Sequence, residues 1–314
     1  MDSPLLREVE NMDGIIVINK HPGPTSTRIV EKVRRLFKTK KAGHLGTLDP
    51  MAKGVLPICL GKATKLTPFL MDREKEYLAT IKLGVVTDTY DKEGTILEER
   101  EVPTTTREKV EEILKDFTGE IEQIPPMFSA ARYKGKRLYQ LARKGEVVER
   151  KPKKVTVHEL SCLEVNLPYI KIFIRCGKGV YIRQLAHDVG ERLGCGGVIW
   201  DLVRTKACGF TLDEAVTLDE LKEMTLEERQ KLVIPMAQAV KDSPALVLAG
   251  RLRWWVAMGN PLVTTPAELG VDEIKEGMLV RLIDQEGELV AMGEMIASPE
   301  GTWLCHPRRV FHAS

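Results

Sequence analysis

Three features of the chain predict an α+β fold: apolar, β-branched runs of strand length, apolar residues at helical spacing between them, and no regular strand–helix alternation. Such a pattern builds a mixed or antiparallel sheet with helices packed against it. At 314 residues the chain exceeds the length at which a single core keeps growing. A Ser-Pro step within 241–245 marks the expected boundary between a large unit over 1–242 and a small, mostly β unit over 243–314.

Gly14 to Asn19 (GIIVIN) is a continuous apolar run, read as a buried strand ending at Lys20. Thr25, Ser26 or Thr27 can cap a helix with Ile29, Val30, Val33, Leu36 and Phe37 on one face and Arg34, Arg35 and Lys38 on the rest. A strand over 55–60 and a short helical segment near 62–70 follow. In the next strand alternation puts Tyr77, Ala79, Ile81 and Leu83 on one apolar face. Thr105 and Glu108 form a capping-box pattern ahead of Val110, Ile113, Leu114 and Phe117, with Gly119 as the stop signal.

A short helix is expected around Leu138 to Ala142, then strands over 155–165 and 169–176 joined by a hairpin at 166–168. Ile182, Leu185, Ala186, Val189 and Leu193 define the inner face of another helix. Tyr181 and Arg183, two apart, cannot share a helical face and belong at its irregular start. A glycine-rich turn at 194–197 leads into 198–210, and helices near 217–232 close the large unit. The tail reads as a helical stretch at 247–258 followed by short strands with a hairpin turn at 285–288.

With 43% hydrophobic and 29% charged residues, the composition is that of a soluble globular protein. Residues 1–14 show no apolar leader behind a basic start, and no run approaches a membrane span, so a cytoplasmic location is expected. The six cysteines form no C-x-x-C pair and sit mostly in apolar stretches, which points to reduced, buried thiols and to no metal site. The zincin pattern is missing, and a Walker A reading fails because Ala63 stands where Ser or Thr is required.

Lys plus Arg exceeds Asp plus Glu only by 47 to 45, but the basic residues are clustered. Six of the ten residues over 32–41 are basic. Ten more, among them Arg132, Lys134, Lys136, Arg143 and Lys154, face only Glu146 and Glu149 over 132–154. Two such clusters in a nearly neutral chain fit a localised phosphate-binding surface.

The stretch 40–66, KKAGHLGTLDPMAKGVLPICLGKATKL, sets His44 and Asp49 in a glycine-punctuated loop ahead of an apolar run. Glycines 43, 46 and 54 permit close backbone approach, and Pro50 keeps Asp49 out of helical geometry. A carboxylate on irregular backbone beside a strand is either a turn residue capping its own backbone or a reactive group. A lone Asp-Pro pair leaves both readings open; the length of the string needs explaining.

From Gly43 to Lys65 this string resembles the catalytic motif of the bacterial TruB family of tRNA pseudouridine synthases, with every fixed position present. Further motifs agree in order and approximate spacing. Asp13-Gly14 with Asn19-Lys20-His21-Pro22-Gly23 resembles the family's first motif, with His21 as one extra residue. Lys75-Glu76-Tyr77-Leu78-Ala79, the segment Gln123 to Ala130 with Lys134 to Tyr139, and Cys176-Gly177-Lys178-Gly179-Val180-Tyr181-Ile182-Arg183 match three more. Together they span residues 13 to about 240. The tail resembles a PUA-type RNA-binding module in Gly277 to Leu282, Asp284, Gly287 and Pro307 to Phe311.

This resemblance implies a pseudouridine synthase catalytic domain carrying a basic RNA-binding insertion at about 124–154, followed by a PUA-like domain. The implied reaction isomerises uridine 55 in the T loop of tRNA to pseudouridine, without cofactor or metal. Asp49 is the implied nucleophile, whether at C6 of the ring or C1′ of the sugar. Arg183 is its implied counter-charge, favouring the ionised carboxylate under a covering base. Tyr77 would stack on the base and could take the C5 proton, while Tyr181 and Leu202 complete the pocket. His44 would brace the space left by the flipped base. Lys20 and the cluster 132–154 would follow the phosphates, the latter as a flap that orders on binding. The implied partner is the T stem-loop, with no membrane and no protein partner, the enzyme acting as a monomer.

One departure stands out: where relatives often read A-H-V-x-x-L-R-R, this chain has Gly197, Val198 and Leu202-Val203-Arg204. Two other readings are carried forward: an RNA-binding helper of tRNA folding with modification secondary, and the catalytic subunit of a guide-RNA particle.

Overall fold

A computed structural model describes residues 12–311. The reading of residues 1–14 therefore falls almost wholly outside the described residues.

The large unit is organised by a 10-stranded mixed sheet. Its main path runs Ile234–Pro235, Gly14–Lys20, Lys53–Leu60, Gly197–Ala207, Lys75–Leu83, Tyr169–Cys176, Lys153–Asn166, Gly119–Gln123. Neighbours are antiparallel except at the centre, where Lys53–Leu60 meets Gly197–Ala207 in parallel. The two strands closest to the motif loop, Gly14–Lys20 and Lys53–Leu60, are buried along nearly their whole length, as continuous apolar runs require. Lys75–Leu83 alternates instead, with Tyr77, Ala79, Ile81 and Leu83 buried on the face that receives the helices Ser26–Leu36 and Ile182–Arg192.

Thr25 caps the helix Ser26–Leu36 by accepting from the Arg28 N–H, while Ser26 is buried and used elsewhere. The helix Arg107–Lys115 is capped by Thr106, which accepts from the Lys109 N–H. The Thr105–Glu108 box is thereby corrected by one residue, because the extended residue whose hydroxyl reaches the third helical N–H is Thr106. Tyr181 is the extended residue before the helix Ile182–Arg192, and Arg183 lies in its first turn.

A 5-stranded sheet forms the C-terminal unit, in the order Ala245–Val247, Leu279–Ile283, Leu289–Ala297, Trp303–Val310, Leu262–Thr264. Residue 247 is the end of a strand rather than the start of the helix, which covers Arg251–Ala257. The expected turn at 285–288 is closed by bonds between Asp284 and both Gly287 and Glu288. This curled sheet fits the small PUA-like fold. It does not stand apart: Leu289, Met292 and Phe311 share one buried cluster with Ile15, Val17 and Leu45 behind the motif loop. Arg281 adds a bond to Ala237 O, and Lys65 one to Val310 O.

Candidate active site

Leu48 and Met51 enter the core on either side of Asp49, leaving its side chain 32% exposed. Three buried side chains hold the loop backbone in place. Ser26 Oγ donates to Leu48 O and accepts from Leu48 N, both at 2.8 Å. Arg204, with no exposed surface, donates to Val55 O at 2.8 Å and to Thr47 O and Gly46 O at 3.2 Å. Lys20, 1% exposed, donates to Pro50 O at 2.9 Å, Ala52 O at 2.7 Å and His21 O at 3.1 Å.

Lys20 is thus corrected. A side chain buried this deeply cannot follow an RNA backbone; its ammonium ties the loop beneath Asp49. Burial lowers its pKa to about 8, against the pull of the Asp49 charge. Gly54, at φ +105, is required where this loop meets the sheet, since a Cβ there would lie 2.2 Å from Arg204 O.

Opposite the loop, Arg183 is 6% exposed and uses its guanidinium as a fork. Nε lies 2.8 Å from Asp49 Oδ2 and Nη2 3.2 Å from Oδ1. Nη1 donates to Thr89 O at 2.9 Å and Nη2 to Phe128 O at 2.8 Å. Asp91, also buried, stands 3.6 Å from Nη1 and folds its own loop by accepting from Thr89 Oγ1 and the Glu93 N–H. The N-terminal position of Arg183 is fixed by Gln123, whose amide both accepts from Tyr181 N at 3.0 Å and donates to Tyr181 O at 3.3 Å.

Tyr77 sits directly across from Arg204 on the neighbouring strand, and Leu202 across from Ala79. Both are buried in the cluster that contains Leu48, Met51 and Ile182. Burial pushes the Tyr77 phenol up to about 12, with Arg204 opposing, so near neutral pH it is a neutral phenol. That favours stacking over service as a standing phenolate base. Tyr181 is half-buried, its phenol also raised by burial. His44 is half-buried at the end of the strand Ala42–His44; its Nδ1 is buried without a partner, and burial lowers its pKa.

Arg132, Lys134, Lys136 and Arg143 are exposed on a two-stranded hairpin and the short helix Leu138–Ala142, whose Leu138 and Leu141 face inward. This segment is tied to Arg183 through Phe128 O, and its own ends are joined by Arg150, which donates to Pro125 O at 3.1 Å. Lys154 is exposed but paired with Glu120 at 3.0 Å. Among the described residues no cluster of potential ligands for a metal occurs.

The comparisons decide the family. The sequence model of the TruB family pseudouridylate synthase (N terminal domain) matches residues 34–182, and that of the tRNA pseudouridylate synthase B C-terminal domain matches 183–241. A tRNA pseudouridine synthase B of Clostridium tetani is 40% identical over 283 residues, 90% of this chain and 96% of the relative. The chain belongs to the TruB family. One from Francisella philomiragia is 46% identical over 235 residues, covering 74% and 78% respectively. In solved structures, the chain of a Cbf5-Nop10-Gar1 complex aligns with TM-score 0.73 and 27% identity, over 98% of this chain and 88% of that one.

Sequence reasoning missed the loop-holding roles of Lys20 and Arg204, and Asp91 altogether. Arg204 had a signal: of the two arginines in the family's L-R-R step it is the one this chain retains. Its neighbours Val198, 1% exposed, and Val203 stand where relatives often carry His and Arg.

Proposed function

We propose that the protein isomerises uridine to pseudouridine at position 55 in the T loop of tRNA, with Asp49 as nucleophile and no cofactor. The observation that carries this reading is the forked Arg183–Asp49 pair: a buried guanidinium orients a carboxylate that is itself partly exposed. The N1–C1′ bond breaks, C1′ bonds to C5, the C5 proton leaves and N1 gains one, so no redox partner or water enters the product. A carboxylate is suited to hold or trigger the detached intermediate, at C6 or at C1′. Tyr77, Tyr181 and Leu202 form the walls against a flipped uracil, His44 fills the space it leaves, and Arg132, Lys134, Lys136, Arg143 and Lys154 meet phosphates. The C-terminal unit over 243–314 adds RNA contact.

The protein acts alone, as a cytoplasmic monomer. Relatives named tRNA pseudouridine synthase B at 40–46% identity favour this over the guide-RNA reading, which the more distant H/ACA structures at 25–27% identity would support. The test is position-resolved pseudouridine detection after incubating purified protein with an unmodified tRNA transcript. Modification confined to position 55 is expected. No modification by the protein alone, with activity restored by guide RNA and partner proteins, overturns it; tRNA refolding without any pseudouridine favours the folding-helper reading instead.

A further inference from the structure

The helix Ser26–Leu36 carries exposed positive charge that its own fold explains only in part. Arg28, Lys32 and Arg35 follow at steps of four and three residues, which places them in one exposed stripe opposite the buried Ile29, Val30 and Val33. Cations in the last turn suit the helix dipole, which accounts for Arg34 and Arg35. The first turn holds no acidic residue and instead carries Arg28, where the dipole disfavours a cation. Among the described residues, none of the three stripe cations forms a direct ion pair, Lys32 only feeling Asp219 at longer range, although exposed lysines and arginines elsewhere pair repeatedly. Beyond the helix the chain turns at Lys38, φ +49, and returns through exposed Lys40 and Lys41.

Both ends of this unit are fastened to the candidate site. At its start Gly23 N donates to Pro50 O at 2.8 Å and Ser26 holds Leu48, the residues around Asp49. At its end the strand Ala42–His44 delivers His44. The helix spans 11 residues, about 16 Å at 1.5 Å per residue. The stripe itself, from Arg28 to Arg35, covers about 10 Å of that axis, enough to meet a few consecutive phosphates of one strand.

We propose that the stripe Arg28–Lys32–Arg35 is a second phosphate rail, separate from the basic insertion, that holds the base-paired stem attached to the substrate loop. This rests on the function proposed above. A positive stripe leading away from the Asp49 loop positions the loop by its stem, independently of loop sequence.

The test compares wild type with R28Q/K32Q/R35Q, exposed substitutions that leave the Asp49 loop and its braces untouched. Binding to a T-stem-loop hairpin and to the same loop sequence without its stem is measured from 50 to 200 mM salt, alongside turnover at saturating hairpin. Three phosphate contacts contribute about 2–2.7 to the logarithmic salt slope. Wild-type affinity for the hairpin should therefore fall roughly 20- to 40-fold more than the variant's over that range. KM should rise with kcat within twofold, and R28K/K32R/R35K should restore the wild-type slope. Stemless loop should bind both proteins equally. Equal salt slopes on the hairpin, or an equal loss on the stemless loop, overturn the rail. The binding comparison needs no turnover, so a wild type that binds the hairpin but makes no pseudouridine refutes the proposed function and still tests the rail.

Discussion

Replacing Arg183 by lysine keeps the charge and removes the fork. In the structure one guanidinium makes four hydrogen bonds, two to the Asp49 carboxylate, one to Thr89 O and one to Phe128 O. An ammonium has three donors diverging from one atom and cannot span both carboxylate oxygens and two carbonyls on opposite sides. At least one bond to the charged carboxylate is lost or bent, at about 1.5–3 kcal/mol for a hydrogen bond to an ionised group. If that bond orients Asp49 in the transition state, turnover falls about 10- to 150-fold. Affinity for RNA should stay within threefold, because Arg183 is 6% exposed and offers no surface to phosphates. Single-turnover tritium release from 5-tritiated uridine in tRNA, with binding measured separately, reads both quantities. Turnover within twofold of wild type would refute the fork as the device that orients Asp49.

Three other outcomes follow from the same geometry. Arg204→Met leaves the carbonyls of Gly46, Thr47 and Val55 without their buried donor, at about 1–3 kcal/mol each where no water enters; thermal melting should drop by several degrees and turnover with it, and an unchanged melt contradicts the brace. His44 has a lowered pKa, so its neutral form contributes stability present above the usual 6.5 and lost as pH falls through the folded value. Wild type should accordingly lose more stability than His44→Gln between pH 7 and 5, and parallel curves would remove burial as the cause. Tyr77, pushed up to about 12, stabilises the fold below pH 10 and ceases to do so as pH rises towards 12. A difference ultraviolet titration against Tyr77→Phe should therefore show the Tyr77 phenolate appearing mainly above pH 11, and half-ionisation near 10 would mean that the phenol is solvated.

The strands and helices of the large unit were legible where periodicity is strong. Alternation put Tyr77 inside, and the Asn166–Pro168 hairpin and the irregular start at Tyr181 followed from turn chemistry and spacing. Asp49 was legible only because the motif around it is long; an Asp-Pro pair alone is an ordinary turn. Its contact with Arg183 joins residues 134 positions apart, and no local pattern encodes that distance. Lys20 misled because an isolated lysine after a strand ordinarily ends in solvent, whereas here three carbonyls of the motif loop and of its own turn compensate its burial. Arg204 was hidden for the same reason, since its partners lie about 150 residues earlier in the chain. Lys32 and Arg35 of the stripe on Ser26–Leu36 lay in the charge cluster over 32–41, but Arg28 did not, and the attachment to the Asp49 loop at both ends emerged only from the fold.

The central claim, that Asp49 supplies the nucleophile and Arg183 orients it, is tested most directly by a single-turnover experiment with Asp49→Asn on prebound, 5-tritiated tRNA. Asparagine preserves the size of the side chain and removes its charge. The account predicts tRNA binding within a few-fold of wild type and tritium release reduced at least a thousand-fold, roughly the factor associated with losing a reactive group. Release at the wild-type rate from Asp49→Asn would contradict it.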